Sequence, residues 1–336
     1  MTKALLVSDT HGNIDIINAL VEKTKVDIVI HAGDFGFYNE SSYRHISSRE
    51  LLLLVSHSPC WKDYCVDKQT DRTTLINIIK KHDLLGDFSS YQNNEKRFNV
   101  PIYAVYGNHE DVHVIREIKA NNTVFNFNLL DEDNVYTIGQ HDEDYFKLFG
   151  LGGNFLVSNK LLKSPIAGNA GKVWATLHQF GVLYQKLQKK TKPSVFVSHV
   201  SPGKEPLLTR LIIHFMPNIW ISGHMGAPYA CVWNQFTIRS MEESLLWFDS
   251  QLEAVNALIL ERLTPEAKIA YDLIKRDIPR SDDWFKKLWN VNLPDAKDGY
   301  AILTFVDGYF YLETPCVQKL THSSLAIKLP AHEKMV

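Results

Sequence analysis

The sequence predicts an α/β domain in which successive strands end in polar loops. Two observations lead to this class: short β-branched apolar runs alternate with stretches of helical spacing, and a polar cluster follows one apolar run after another. A third observation is size, because 336 residues with 45% hydrophobic content can bury one large core. We therefore predict one domain that carries insertions.

The first strand, helix and strand lie at the start of the printed sequence. Residues 4–7 form a short apolar run, and residues 8–13 are rich in turn-forming Asp, Gly and Asn. Residues 14–25 have apolar side chains at helical spacing, and residues 27–31 return to a β-branched run before Gly33 and Asp34. The pattern predicts a strand, a helix and a second strand, with a polar loop after each strand.

The same pattern recurs three more times along the chain. Every candidate ligand follows the carboxyl end of a predicted strand, which is the edge where open α/β sheets bind their ligands. The three further instances are 101–106 before Gly107-Asn108-His109-Glu110, 194–197 before Ser198-His199, and 218–221 before Ser222-Gly223-His224.

The residue types in these loops favour a site for two divalent cations about 3.5 to 4 Å apart. Asp9 and His11 can reach one ion from a single turn, and Asp34 can bridge both ions. His109 is placed to donate a proton to the leaving oxygen. Each residue alone is more typical of a turn, a cap or a core position, but recurrence at five strand ends favours the metal site. The candidate metal ligands are Asp9, His11, Asp34, Asn108, His199 and His224.

This ordered set of motifs, from Ala4 to about Ile238, resembles the signature of the calcineurin-like metallophosphoesterases. The resemblance implies a two-sheet sandwich flanked by helices, two divalent ions such as manganese, iron or zinc, and hydrolysis of phosphomonoesters or phosphodiesters. It implies that Asp9, His11 and Asp34 hold the first ion and that His109 is the leaving-group histidine. The second ion would be held by Asp34, Asn108, His199 and His224.

Two positions depart from the pattern of this family. The last motif is usually Gly-His-x-His, whereas Gly226 stands here in place of the second histidine, so we expect weaker affinity for the first ion. The family commonly has another Asp shortly after the one at Asp34, but Phe35-Gly36-Phe37 follows here and a supporting carboxylate is lost. Residues 31–38 and 198–202 are also similar to a poorly characterised, largely fungal branch of the superfamily.

Two long insertions interrupt a predicted domain of residues 1–315. The first, about 39–98, has helical spacing at 49–55 and 73–82 and a polar tip around 89–96. It is either a lid or recognition surface over the site, or a solvated decoration.

The second insertion, about 241–298, has helical spacing at 252–263, 267–278 and 284–289, which predicts a small helical unit. Asp307-Gly308 then separates two apolar runs and predicts a hairpin that closes the sandwich. Residues 316–336 are predicted to be a C-terminal tail.

Composition narrows the classes of partner. A formal net charge of −2 gives no reason to expect wholesale binding to nucleic acid or to anionic membranes. No apolar run approaches the roughly 20 residues that span a bilayer, and no signal peptide precedes residue 4, so we expect a cytoplasmic protein, with the nucleus as the alternative. The four cysteines include no Cys-x-x-Cys pair, which favours reduced thiols. The oligomeric state is left open.

The sequence favours a hydrolase in which a metal-activated water attacks a phosphomonoester or phosphodiester. Lys204 could contact the substrate phosphate, although an exposed lysine is the plainer interpretation. The alternative function is a catalytically degenerate binding or scaffold protein of the same fold, which could be associated with nucleic acid. Intact His109 favours the hydrolase, and Gly226 favours the alternative.

Overall fold

Strands and helices alternate along the chain in the predicted order. The computed structural model describes residues 1–58, 61–139, 145–155, 166–187, 193–201, 205–224, 229–232, 246, 249–250, 253, 261–276, 288–314 and 327–330. The strands are β1 Thr2–Val7, β2 Ile28–Ala32, β3 Ile102–Val105, β4 Phe127–Leu129, β5 Tyr136–Gly139, β6 Tyr145–Leu151, β7 Ala167–Asn169, β8 Lys172–Trp174, β9 Ser194–Ser198, β10 Ile219–Ser222, β11 Tyr229–Val232, β12 Trp289–Asn292, β13 Ala301–Val306, β14 Tyr309–Glu313 and β15 Ile327–Pro330. The α-helices are α1 Asp15–Thr24, α2 Ser42–His45, α3 Ser48–Ser56, α4 Arg72–Lys81, α5 Phe88–Gln92, α6 Val112–Ala120, α7 Leu177–Lys186, α8 Pro206–Ile213 and α9 Pro265–Lys275.

The strands form two large sheets and one small hairpin. The first sheet has the order β15-β14-β13-β1-β2-β3-β4, the second has the order β11-β12-β10-β9-β6-β5, and β7 pairs with β8. Strands β1 to β4 are parallel to one another, as are β6, β9, β10 and β12. Parallel strands end at the same edge, so the loops after β1, β2 and β3 meet there, as do those after β9 and β10.

The two sheets pack face to face around one apolar layer. Side chains alternate between the faces of a strand, and Leu6 and Ile30 of the first sheet share a buried cluster with Val197 and Ile221 of the second. The neighbouring Leu5 of β1 belongs instead to the cluster that includes residues of α1 and α6. A third cluster joins the outer face of the second sheet to α7, α8 and α9. The predicted two-sheet sandwich flanked by helices is therefore confirmed.

The first insertion has a hydrophobic core of its own. Its predicted helices at 49–55 and 73–82 correspond to α3 and α4, which pack through Leu51, Leu54, Leu75 and Ile79. The prediction of a polar tip around 89–96 is wrong in part, because residues 88–92 form α5. Phe88 and Tyr91 are buried in the main core, so the polar residues between them cover only the outer side of that helix.

The second insertion differs from the predicted helical unit at its end. The helix predicted at 267–278 corresponds to α9, and most of the helix predicted at 252–263 lies outside the described residues. Trp289, however, begins a strand, β12, instead of ending a helix. β12 pairs in parallel with β10 and antiparallel with β11. Hydrogen bonds to two neighbouring strands override a short stretch of helical spacing.

The predicted hairpin is confirmed, and the sheet continues beyond it. Asp307 and Gly308, with φ of 52° and 77°, form the two-residue turn between β13 and β14. Residues 316–336 were predicted to be a tail, whereas β15 within them pairs with β14.

Cys65 is a free, exposed thiol. None of the described helices combines the length and the apolar character needed to cross a membrane.

Candidate metal centre

The backbone at the strand ends adopts a conformation that side chains rarely tolerate. Asp9, His11, Asp34 and His224 have φ of 54°, 47°, 49° and 69°. Residues other than glycine in this left-handed region cost on the order of 1–3 kcal/mol each and persist where surrounding contacts hold them. Here the amide of Asp9 donates to the carbonyl of Gly33 at 2.9 Å, and the amide of His11 donates to the carbonyl of Asp34 at 2.9 Å. These bonds join the loops after β1 and β2.

Two glycines allow the loops to approach the ligands closely. A Cβ atom on Gly107 would collide with the backbone and the carboxylate of Asp34, and one on Gly223 would collide with Ser8 and the carboxylate of Asp9. The glycines before Asn108 and before His224 are therefore required by the close packing at the site.

Asp9, His11 and Asp34 form the first cluster of candidate ligands, because one ligand atom from each lies within 4.8 Å of the others. Nε2 of His11 lies 3.9 Å from Oδ1 of Asp9. Oδ2 of Asp9 accepts hydrogen bonds from the Ser8 hydroxyl and, at 3.1 Å, from the amide of His224. Oδ1 of Asp9 is thus the oxygen that is left for a cation.

Asp34, His199 and His224 form the second cluster, and Asn108 joins it. Nε2 of His199 lies 3.0 Å from Nδ1 of His224, 3.0 Å from Oδ1 of Asn108 and 3.4 Å from Oδ2 of Asp34. Two atoms that bind one ion at about 2.1 Å and at right angles lie about 3.0 Å apart. The second cluster therefore already has the spacing of a ligand sphere, and Asp34 belongs to both clusters.

A backbone contact sets the tautomer of His199. Its Nδ1 lies 2.9 Å from the carbonyl oxygen of Ala32, which can only accept, so Nδ1–H is the donor. In the neutral imidazole, Nε2 then carries the lone pair that can bind a metal. His199 is fully buried between the two sheets, and this contact fixes the orientation of its ring.

The charges at the centre favour a bound cation. Burial raises the pKa of Asp9, and the charge of Asp34 raises it further. Although burial opposes the charged form of His199, the carboxylates of Asp34 and Asp9 raise its pKa to about 9. Positive charge beside the buried carboxylates therefore stabilises their ionised forms. Oxygen and imidazole donors are also the ligand types that bind manganese, iron or zinc. The residues present fit a centre of divalent ions.

His109 lies at the edge of this centre and is held at two points. Its amide donates to Oδ1 of Asp34 at 2.9 Å, and its Nδ1 lies 2.7 Å from Oε2 of Glu50. Burial opposes the charged imidazolium, but the hydrogen bond to Glu50 and the charge of Asp34 outweigh it and raise the pKa of His109. The protonated ring that a proton donor needs is therefore favoured.

Glu110 ties the loop after β3 to the loop after β2. Its carboxylate is fully buried and accepts from the amides of Phe35 and Phe37 at 2.7 Å and from the amide of Gly107 at 3.2 Å. The sequence analysis quoted Glu110 within its motif without giving it a role. Its hydrogen bonds place Asp34 beside Asn108 and His109.

Two residues near the site were not predicted, and both come from the first insertion. Glu50 of α3 contacts His109, and the imidazole of His57, at the end of α3, packs against that of His11 with ring centroids 4.3 Å apart. Ser47 with Glu50 has the spacing of a helix-capping pattern, so the local sequence offered a structural reason for this glutamate. Lys204 and Gly226 lie outside the described residues.

Comparisons with known proteins agree with this architecture. A family model described as calcineurin-like phosphoesterase matches residues 2–228. The chain is 20% identical over 157 residues to the double-strand break repair protein MRE11 of Encephalitozoon cuniculi, a match that covers 44% of this chain and 24% of that protein. The chain therefore spans about a quarter of the length of this relative.

Two solved structures are similar over most of the chain. The first is GAP50, the anchor in the inner membrane complex of Plasmodium, with 9% identity and a TM-score of 0.49, covering 99% of this chain and 90% of that one. The second is a 5'-nucleotidase from Candida albicans, with 10% identity and a TM-score of 0.38, covering 94% of this chain and 52% of that one. The family match covers the strands and loops that carry Asp9 through His224, and it extends over more than half of the chain. The chain therefore belongs to the calcineurin-like phosphoesterase family.

Proposed function

We propose that this protein hydrolyses a phosphomonoester or phosphodiester at a centre of two divalent cations. Membership of the family indicates a hydrolase acting on phosphate esters. The observation that carries the proposal is the pair of ligand clusters that share Asp34. Asp9, His11 and Asp34 would hold the first ion. Asp34, Asn108, His199 and His224 would hold the second.

The metal ligands and His109 would have separate roles in the hydrolysis. When bound, the cations activate a water as the nucleophile and neutralise charge on the phosphoryl group. Asp34 belongs to both ligand clusters and so would keep the two ions at a fixed separation. Its Oδ1 also accepts a hydrogen bond from the amide of His109, which would keep the imidazole beside the reacting phosphate. His109 then donates a proton to the leaving oxygen. His199, Asp34 and Asn108 are buried, and charges interact more strongly in the protein interior than in bulk water.

A nucleic-acid phosphodiester is a second candidate substrate. It is supported by the likeness to a double-strand break repair protein over 157 residues. The net charge of −2 does not favour it, because nucleic-acid binding relies on basic surface. A binding protein of this fold that has lost turnover is the alternative function. The compact second cluster supports retained metal binding in either case.

The first test is the metal dependence of the purified chain. We expect bound metal in the protein as isolated, hydrolysis of bis-p-nitrophenyl phosphate or p-nitrophenyl phosphate in manganese, and loss of that hydrolysis after chelation, because the nucleophilic water depends on the cations. Adding manganese back should restore activity. The ratio of the two rates reports the preference for diesters or monoesters. Bound metal without turnover of either ester would contradict the hydrolase and favour the binding protein.

A further inference from the structure

The geometry points to Glu50 as the residue that positions His109 for proton donation. Glu50 lies on α3 of the first insertion, and its Oε2 is 2.7 Å from Nδ1 of His109. This inference rests on the proposed function of His109. It means that the insertion forms part of the catalytic machinery and is not merely a solvated decoration.

The burial of Glu50 is the first argument. Its side chain is 1% exposed, and a buried carboxylate costs several kcal/mol unless a partner compensates it. Within the described part of the chain, Oε1 has no hydrogen-bond partner, so the imidazole of His109 is the group that compensates the carboxylate. A glutamate kept at this cost for packing alone would be better replaced by an apolar residue.

Helix capping does not account for Glu50. The hydroxyl of Ser47 accepts from the amide of Glu50 at 3.2 Å, as in a capping box, but the amide of Ser47 donates at 3.0 Å to the carbonyl of Ala170. The reciprocal bond from Ser47 to the glutamate side chain is therefore replaced. The carboxylate lies against His109 instead.

A second element fixes the side chain of Glu50. A Cβ atom on Gly171, in the turn between β7 and β8, would lie 2.6 Å from Cγ of Glu50. In the same hairpin, Lys172 forms a bridge with the backbone of His109. Both members of the Glu50–His109 pair are thus clamped by one hairpin, and such clamping gives a catalytic group a defined orientation.

The chemistry follows from the hydrogen bond. Carboxylate oxygens only accept, so Nδ1–H of His109 is the donor and Nε2 is the ring nitrogen that can serve the leaving oxygen. The loop after Asp34 has Phe37 where an acidic side chain could have stood. Glu50 supplies a carboxylate to the site from a different part of the chain.

Glu50→Gln tests the role, because glutamine keeps the size and removes the charge. For esters with a poor leaving group, such as phenyl phosphates, we expect kcat to fall by roughly 10- to 100-fold with KM and metal content unchanged. The nitrophenyl esters should lose less, because their leaving oxygen needs less protonation. Glu95→Gln, an exposed glutamate of the same insertion, is the matched control. Glu50→Asp keeps the charge and should show an intermediate loss in kcat. It tests the role of Glu50 even if Glu50→Gln does not fold.

Equal losses for both kinds of leaving group would overturn the role of Glu50. If the native chain hydrolyses neither ester, the proposed function fails, and the imidazole ¹⁵N signals of His109 still test the contact. Those signals should shift in Glu50→Gln and not in Glu95→Gln. Unchanged signals would overturn the inference independently of activity.

A different observation concerns the first ion, for which we infer that His57 is a fourth protein ligand. Its imidazole packs against that of His11, with centroids 4.3 Å apart and ring planes 46° apart. His57 is exposed at the end of α3, so its ring can rotate about its side-chain torsions. The sequence has Gly226 where the family pattern has a further histidine, so one imidazole donor expected at the first ion is missing from this chain.

Calorimetric titration with Mn²⁺ alone tests this second inference. The native chain should bind two ions, and His57→Ala should weaken the first site by at least about tenfold while the second site is unchanged. His82→Ala, an exposed histidine at the end of α4, is the matched control. Two ions with unaltered affinity in His57→Ala would overturn the role of His57. Fewer than two ions in the native chain would instead overturn the two-ion centre itself.

Discussion

Asp34→Asn should lower phosphoester hydrolysis by on the order of 10³-fold, because several kcal/mol of charge stabilisation depends on the cations and each 1.36 kcal/mol is tenfold in rate. Asp34 is 2% exposed and its carboxylate belongs to both ligand clusters. Asparagine keeps an oxygen for the amide of His109, so the loops should keep their contact. The loss would then report the missing bridging charge. Steady-state kinetics and metal analysis of the purified variant measure it.

The control for Asp34→Asn is Asp63→Asn, an exposed aspartate of the first insertion that should leave both metal content and turnover unchanged. Thermal unfolding separates loss of metal from loss of fold. Near-native activity in the Asp34 variant would rule out a shared carboxylate ligand. Lost activity with full metal content would indicate that Asp34 positions His109 and is not required for metal binding.

His109→Asn should produce the second largest effect, with a different signature. General acid catalysis contributes about 10²- to 10⁴-fold, so kcat for phenyl esters should fall by that order. Metal content should be preserved, because neither candidate cluster contains His109. Nitrophenyl esters should be affected less. The measurement is kcat and KM for a series of esters that differ only in the leaving group.

The control for His109→Asn is His113→Asn, since His113 lies nearby on α6, is exposed and stacks on His45. It should behave as the native chain does. A similar loss for every leaving group would indicate that His109 contacts the phosphoryl oxygens and does not donate to the leaving oxygen. Loss of metal in the His109 variant would contradict the division between ligands and proton donor.

The structure places a residue of the first insertion at the candidate metal centre, a role that the sequence of the insertion did not indicate. Its helices were predicted, but whether it forms a lid, a recognition surface or a decoration was left open. α3 packs on α4 through a local core, and the other side of α3 contributes Glu50 to the site. The insertion is therefore continuous with the candidate metal centre, and its stability and the placement of His109 depend on the same helix.

Local sequence was sufficient wherever the signal and the structure lie in one short segment. The strands before Asp9, Asp34, His109, His199 and His224 are mainly apolar and four to six residues long, and the turn after each one needs glycine or a polar residue. The Asp307-Gly308 hairpin is decided by two residues with positive φ. Such features follow from backbone sterics and from burial of both faces of a strand. The polar tip was mispredicted because Phe88 and Tyr91 are separated by polar residues.

Pairing between distant segments was decided only by the tertiary structure. Glu50 and His109 are 59 residues apart, and nothing in the spacing of either segment indicates that they meet. β12 becomes a strand because β10 and β11 supply hydrogen-bonding partners on both sides. By itself, the sequence determined the order of strands, the family and the residue types at the candidate site. The tertiary structure decided which side chains support them, because the free energy of those contacts depends on segments that only the folded core brings together.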